Sequence, residues 1–474
     1  MIRFKRWRLS LALILSLAIF SAWTPVVFGE STEQLQEVRD LLEKYHLSKP
    51  DDEDLSNEAI DGMVDSLDDP YTEYFDEEEW QIFNSALEQT FVGIGIVMSE
   101  DNGIVYIEDI IAGSPAESAG LVIGDSILSA DDKDLTGKTV SEIQNEVRGV
   151  EGSNLVLGIS RNGKTLKFNI ERKSLHIPIV TTRMLGDGVG YLALSGFTSD
   201  AASQVKNRLA ELEKEGLTSL VLDLRNNGGG YVTAAQDIAG LFIKDGVLAH
   251  MRDRDGNDNP LIVSGTAKPY SVVVLVNGNS ASASELLAGA LQDYGVAKIA
   301  GTNTFGKGVV QSLIPLQSGG MLKITIQEYY TPTGRKVDKV GLKPDIPLEG
   351  AAEQLIGAFR SVGGKIVSLT AGKGSLTVNG VRISQQDIIF KETNGWYINM
   401  RLAAYVLGAE LKYDSKKRAV ILTKGTIVKW IKTNDSRLKI VDGQSSIHAG
   451  VLKKWFSNVS YTVSGDSVKI TVNE

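Results

Sequence analysis

Ser219-Leu220-Val221-Leu222-Asp223-Leu224-Arg225 and Ser271-Val272-Val273-Val274-Leu275-Val276-Asn277 are short, largely apolar runs bounded by turn residues. Neither alternates between apolar and polar positions, as expected of strands buried on both faces. A helical pattern follows each, over Val232 to Ile243 and over Ala283 to Asp293, and a further strand is expected from Val296 to Ala300. Repetition of strand, helix and strand implies right-handed crossovers and a mainly parallel sheet, so the stretch from Gly190 to Leu348 reads as α/β. In such a sheet the loops at the carboxyl ends of the strands form the natural site.

Three clusters sit at those ends. Arg225-Asn226-Asn227-Gly228-Gly229-Gly230 is a glycine turn that can present free N–H groups to an anion, but no Gly-Lys-Ser or Gly-Lys-Thr follows it as a phosphate-binding loop would require. Asn277-Gly278-Asn279-Ser280-Ala281-Ser282-Ala283-Ser284-Glu285 leads small residues into a helix; taken alone, Ser282 with Glu285 three positions on is a capping pattern. Thr304-Phe305-Gly306-Lys307-Gly308-Val309-Val310-Gln311 holds a lysine between glycines just after a strand, where an isolated lysine is more simply a surface residue. Together the clusters suggest a serine nucleophile with a lysine base. A hydroxyl attacks poorly until a neighbour takes its proton, no histidine lies near the serines in sequence, and a lysine can serve only if burial disfavours its ammonium form. Gln311, four residues beyond Lys307, can hold that amine in line.

Composition narrows the classes further. A chain of 474 residues with 42% apolar and 23% charged positions supports several cores, and 48 glycines against 11 prolines without a period exclude collagen and low-complexity sequence. The absence of cysteine removes thiol nucleophiles, disulfides and thiolate zinc sites. With His46, His176, His250 and His448 far apart, neither a metal site nor a cofactor is expected. The net charge of −10 is uneven: residues 1–29 carry four basic residues and no acids, residues 365–474 balance at +9, and the body between them at −23. A basic tail on an acidic body suggests that the tail meets an anionic partner.

Arg3, Lys5, Arg6 and Arg8 followed by the apolar run Leu9 to Ala22 read as an export signal or an uncleaved anchor over residues 1–29. Helices are expected over Thr32 to Tyr45 and around Asn57 to Leu67, ended by Asp68-Asp69-Pro70, as a packing or dimer arm. Short strands follow at Ile104–Ile107, Ser126–Leu128, Leu155–Leu157 and Leu166–Phe168. The Gly93-Ile94-Gly95-Ile96 loop can turn backbone N–H groups toward a terminal carboxylate while the next strand edge adds an extended peptide. With Ser114-Pro115-Ala116 and Gly124-Asp125, this stretch resembles a PDZ domain, which implies selection of C-terminal tails. Arg148 could couple tail binding to the acidic catalytic part; its plainer reading is a solvated arginine at a turn.

Ser280 to Glu285, Phe305 to Gly308, Gln311, Asp223 to Asn227 with the glycines after it, Asp68-Asp69-Pro70-Tyr71, and Tyr330-Thr331-Pro332-Thr333-Gly334-Arg335 with Gly341, Pro344 and Asp345 together resemble the carboxy-terminal processing (tail-specific) proteases. The resemblance covers about residues 31–350. It implies an α/β core of the ClpP/crotonase-like type with an inserted PDZ domain, Ser282 as nucleophile, Lys307 as general base, Gln311 as its orienting residue, and Ala283 N–H with Gly229 N–H, or else Gly230 N–H, as oxyanion donors. One departure is Gly228, where the family usually has proline. The residues from Lys365 onward, with Leu376 to Val381 as strand, Tyr397 to Ala409 as helix, and Leu411 to Tyr413 with Arg418 to Leu422 as hairpin, resemble the small α+β envelope module named after the copper amine oxidase N-terminal domain. One histidine, His448, cannot make a copper site.

The expected organisation is thus a signal or anchor (1–29), a helical segment (30–87), a PDZ domain (88–175), a protease core (176–364) and a basic C-terminal module (365–474). The expected activity is that of an exported serine endopeptidase acting on proteins with free C-termini, dimeric, with no nucleic-acid partner. Its C-terminal module would face an anionic wall polymer or membrane surface, in what the resemblance implies is a Gram-positive envelope. The alternatives are a catalytically silent PDZ adaptor, which would need the serine or lysine lost, and an acyl-CoA enzyme, which would have no use for a PDZ domain or an export signal.

Overall fold

The computed structural model describes residues 32–101, 103–372, 375–383, 388–441 and 443–473, so the expected export segment lies outside the described residues. The chain divides between Asp68 and Asp69 into two units. In the first, α1 (Thr32–Tyr45) and α2 (Asp52–Asp65) are joined by an Arg39 to Asp52 ion pair of 2.9 Å. Helix α2 starts earlier than the apolar pattern indicates, because Asp51 caps Asp54 N at 2.8 Å and three acids occupy the first turn, where the helix dipole favours them.

The second unit opens with β1 (Glu73–Phe75), then α3 (Glu77–Leu87), which begins in an Asp76/Glu79 capping box, then β2 (Thr90–Gly93). The PDZ part follows as β3 (Ile96–Asp101), β4 (Ile104–Ile110), α4 (Pro115–Ala119), β5 (Ser126–Ala130), β6 (Lys133–Asp134), α5 (Val140–Val147), β7 (Asn154–Arg161) and β8 (Lys164–Glu171). Its sheet runs β3-β4-β5-β7-β8, which leaves β3 at an edge. The Ser-Pro-Ala turn behaves as its sequence suggests: Ser114 Oγ caps Glu117 N, and Gly120 closes α4 at φ 85°. Strand β9 (Lys173–His176) then pairs with β2, leading the chain back to the core.

The core contains β10 (Val180–Gly186), β11 (Val189–Leu194), α6 (Ala201–Lys214), β12 (Ser219–Asp223), α7 (Val232–Ala239), β13 (Asp245–Asp253), β14 (Leu261–Ser264), β15 (Ser271–Val276), α8 (Ala283–Asp293) and β16 (Ala297–Gly301). It continues as β17 (Val309–Pro315), β18 (Met321–Tyr330), β19 (Ile346–Pro347) and α9 (Ala351–Ser361). The main sheet has the order β10-β11-β12-β15-β16-β19, parallel from β11 to β19 with β10 antiparallel at one edge. Its central strands are buried on both faces: Leu220, Leu222, Val272 and Val274 join one apolar cluster, and Val221, Val273 and Leu275 the other. A second, antiparallel sheet, β1-β18-β13-β14 with β17 on β18, had no counterpart in the sequence reading. Its strands mix polar and apolar residues and are mostly half-buried, which weakens a periodic signal.

Beyond the Gly363-Gly364 turn, the helix expected from Tyr397 begins three residues later: Gly395–Asn399 is strand and Met400–Leu407 helix, and Glu410–Asp414 with Ala419–Lys424 complete a unit of strand, helix and hairpin. It recurs as Gln444–His448, Ala449–Trp455, then Val459–Ser464 with Ser467–Asn473. The apolar cluster of this region runs without a break through Leu355 and Phe359 of α9 to Val221 and Val273 of the main sheet.

Candidate active site

A cavity of about 560 Å³ lies beyond the carboxyl ends of the parallel strands, where open α/β sheets place their sites. Ser282, Lys307, Gln311 and Gly228 to Gly230 all line it. The sequence clusters therefore meet, although three separate strand-to-helix or strand-to-strand connections carry them.

Ser282 ends the loop between β15 and α8 at φ 56° and ψ −115°, a backbone conformation that costs a non-glycine residue roughly 1–3 kcal/mol and persists only where its surroundings enforce it. Those surroundings include its neighbouring serines. Ser280 Oγ donates to Leu224 O at 2.7 Å, and Ser284 Oγ to Asn227 O at 2.9 Å, so both tie the loop to the glycine turn. Both are fully buried, whereas Ser282 faces the cavity.

The lysine loop explains its glycines. A Cβ on Gly308 would lie 2.1 Å from Asp338 N, and one on Gly306, at φ 88°, would lie 2.9 Å from Gly341 N. Burial, chiefly, and the positive charge of Lys323 push the Lys307 ammonium below the ordinary lysine value, with Asp69 opposing. Its Nζ lies over the Tyr71 ring, 4.7 Å from the centroid. Gln311, just past a bulge in β17, donates from Nε2 to Thr325 Oγ1 at 3.1 Å and not to Lys307.

Sequence reasoning missed the residue that joins the two loops. Glu285 is fully buried, and its carboxylate accepts from four donors. Oε1 takes Gly306 N at 2.8 Å and Thr304 Oγ1, and Oε2 takes Lys307 N at 2.9 Å and Ser282 N at 3.0 Å. The local capping pattern gave the bond to Ser282 N; the three others come from a loop that only the fold brings there. Burial pushes the Glu285 carboxyl up, and the four donors pull it back toward the charged form.

Among the expected oxyanion donors, Ala283 N opens α8, where the first helical N–H groups lack helix partners. Gly229 N is occupied: it donates to Asn227 Oδ1 at 2.9 Å. Gly229 sits at φ 107° so close to the serine loop that a Cβ would lie 2.9 Å from Ser282 Cβ. Gly230, at φ 140°, pairs with Phe197, and a Cβ there would lie 2.3 Å from Phe197 O. Arg225 braces the turn from below, bonded to Asp223 and, through Nη1, to Ala351 O and Gln354 Oε1 of α9.

The expected peptide-binding loop, Gly93 to Ile96, and Arg148 lie apart from this cavity, in the PDZ part. Gly95 sits at φ 88° beneath Ser114, whose Cβ would be 2.3 Å from any Cβ at Gly95, and Ile94 O accepts from Ala116 N at 2.8 Å. The loop and the Ser-Pro-Ala turn thus pack together at the start of the edge strand β3. Arg148 caps the end of α5, exposed, with no side-chain hydrogen bond or ion pair to the described residues.

Three families of known sequence match along the chain: peptidase family S41 over residues 188–348, the PDZ domain over 92–171 and the activating protease CtpB N-terminal domain over 22–79. The probable CtpA-like serine protease of Staphylococcus aureus (strain COL) is 34% identical over 367 residues, 73% of this chain and 74% of that protein. The chain belongs to peptidase family S41. A second CtpA-like relative, from Staphylococcus haemolyticus (strain JCSC1435), is 33% identical over 374 residues, 75% of each chain. Among solved structures, the photosystem II D1 C-terminal processing protease aligns at 29% identity over 71% of this chain and 92% of that one, with a TM-score of 0.43. This S41 chain is a serine peptidase of the C-terminal processing type, with a mixed α/β protease part and a PDZ domain.

Proposed function

We propose that the chain is an exported endopeptidase in which Ser282 is the nucleophile and Lys307 its base, acting on proteins chosen by their C-terminal tails. The observation that carries this reading is the strained Ser282 at the cavity, with its loop and the loop of Lys307 hung on one buried carboxylate. Neutral Lys307 accepts the Ser282 Oγ proton as Oγ bonds to the substrate carbonyl carbon, whose oxygen becomes an oxyanion. Ala283 N–H and a glycine N–H of the turn stabilise that charge, each such donor being worth about 3 kcal/mol in comparable sites. Lys307 then passes its proton to the leaving amine as the C–N bond breaks. Water, deprotonated by Lys307, attacks the ester and releases the acyl group. Gly229 N must leave Asn227 Oδ1 to serve as the second donor; otherwise Gly230 N takes that role.

The edge strand β3 with the Gly93 to Ile96 loop suits addition of an extended tail, and Arg148, free in this state, would find an acidic partner on the core only when a tail is bound. The parallel sheet with its helices supports reading the core as the ClpP/crotonase-like type. The exposed apolar row Leu35, Val38, Leu41 and Tyr45 on α1 supports a dimer arm. The +9 balance of residues 365–474 supports an anionic wall polymer or membrane surface of a Gram-positive envelope as partner of that module.

The test is the pair Ser282→Ala and Lys307→Ala. Each is expected to abolish proteolysis with the fold intact, and the double variant to cost no more than either, since the two act as a unit. Labelling of Ser282 by a serine-directed probe should vanish in the first and fall steeply in the second. Substantial cleavage by Lys307→Ala would remove the base assignment.

A further inference from the structure

Tyr71 belongs to Asp69-Pro70-Tyr71-Thr72, a segment before β1 that the fold seats beside Lys307. Asp69 Oδ1 accepts from Tyr71 N at 3.1 Å and Oδ2 from Thr72 Oγ1 at 2.6 Å. Thr72, almost fully buried, accepts in turn from Thr325 N of β18 at 3.1 Å. The ring is therefore held in place on both sides of the chain. Lys307 Nζ meets its face at 4.7 Å and makes no hydrogen bond to Ser282, Gln311 or any carboxylate among the described residues.

An aromatic face attracts an ammonium through its quadrupole and has no comparable attraction for a neutral amine. The base in the proposed mechanism is the neutral amine. We propose that Tyr71 is a positioning residue that holds the charged form of Lys307 against its ring and off Ser282, and lets go of the neutral form. This rests on the Ser282/Lys307 reading and adds to it the residue that decides which protonation state stays at rest.

The other charges around the amine agree with a poised balance. Asp69 draws the ammonium toward the ring, while Lys323 of β18, itself paired to Glu73 at 2.6 Å and lying over Phe83 at 4.8 Å, repels it. The charges of Asp338 and Glu285 also act on Tyr71, and the Glu285 oxygens are already taken by four donors. Tyr329 OH donates to Lys307 O at 2.9 Å, fixing the backbone and leaving only the side chain to move.

The experiment follows the pH dependence of kcat/KM and, independently of peptide binding, the pH dependence of Ser282 labelling by a fluorophosphonate. Tyr71→Leu is expected to move the acid limb of both to lower pH by about half to one unit, which raises the rate roughly three- to tenfold at the foot of the limb. Tyr71→Phe, which keeps the ring, should retain the limb of the parent, and Asp69→Asn should move it in the same direction as Tyr71→Leu. A limb in Tyr71→Leu at or above that of the parent overturns the proposal, and so does an equal movement in Tyr71→Phe. If Tyr71→Leu does not fold, Asp69→Asn decides, an unmoved limb overturning it. Lys307→Ala run in parallel separates the two levels. Activity there removes the Ser/Lys reading itself, whereas an inert Lys307→Ala beside an unmoved Tyr71→Leu removes only the role of Tyr71.

Discussion

Lys307 carries opposing demands that meet in one side chain. Burial lowers its affinity for a proton, which catalysis needs, but below that lowered value the fold must keep a charged amine out of water. The sign of the consequence follows from linkage. In the folded state the proton leaves more easily than in the unfolded chain, so the penalty is fully present below the folded pKa. It disappears as pH rises from there to the ordinary lysine value. Lys307→Met, of similar length and uncharged, is therefore expected to melt at a higher temperature than the parent at neutral pH, with the difference shrinking as pH rises toward 10. Thermal unfolding of both proteins across pH measures it; a difference independent of pH would mean that folding leaves the proton affinity of the lysine unchanged. The same residue shows how far the sequence was legible. Its proposed role as base could be argued from Ser282, the flanking glycines and the lack of a nearby histidine. Its resting partner, Tyr71, could not, because nothing local links residues so far apart in the chain.

Among the elements, the turn between β12 and α7 bears most directly on catalysis. Gly228 stands where the family usually has proline, and the structure indicates how free that position is. Its N–H bonds to no described residue, and a Cβ there would meet nothing within 4 Å. Asn227 beside it is fixed instead, with Nδ2 on Leu194 O at 2.8 Å and Oδ1 on Gly229 N at 2.9 Å. Gly228→Pro should thus stabilise the fold by about 0.4–1 kcal/mol through the unfolded chain and leave proteolysis near that of the parent. A collapse of kcat with the melting temperature preserved would identify the Gly228 N–H, rather than that of Gly229 or Gly230, as an oxyanion donor. The glycine-rich turn was visible in the sequence; which of its amides is already spent was not, since that depends on where Asn227 points.

At the scale of the whole molecule, the PDZ part and the protease core are joined by the β2/β9 ribbon and by contacts of residues 88 and 89 with the core. Glu88 Oε2 accepts from Ser199 N and Oγ, at 3.2 and 2.9 Å, and Gln89 lines the candidate-site cavity beside Ser195. The PDZ part is thereby joined to the cavity wall. If tails gate the protease, amidating the C-terminus of a substrate should lower its cleavage. Arg148→Ala should weaken stimulation by a free tail while leaving tail affinity nearly unchanged. Cleavage assays and peptide binding on the two variants check this: equal cleavage of free and amidated peptides would remove the carboxylate role of Gly93 to Ile96, and unaltered stimulation would remove Arg148.

What the sequence determined by itself is whatever short-range physics can encode. Apolar runs without alternation made the parallel strands, small residues and glycines marked the turns at their carboxyl ends, and an ordered set of motifs brought Ser282, Lys307 and Gln311 into one expectation. Tertiary structure alone decided how those residues stand toward each other. It turned a capping glutamate, Glu285, into the support of both loops, set Gln311 on Thr325, and placed the Tyr71 ring against Lys307. It also merged the C-terminal region with the core through α9. A buried carboxylate must find donors wherever the folded chain offers them, and a buried cation must find an electron-rich face. Those partners are chosen by distance in space, which a pattern along the chain does not contain.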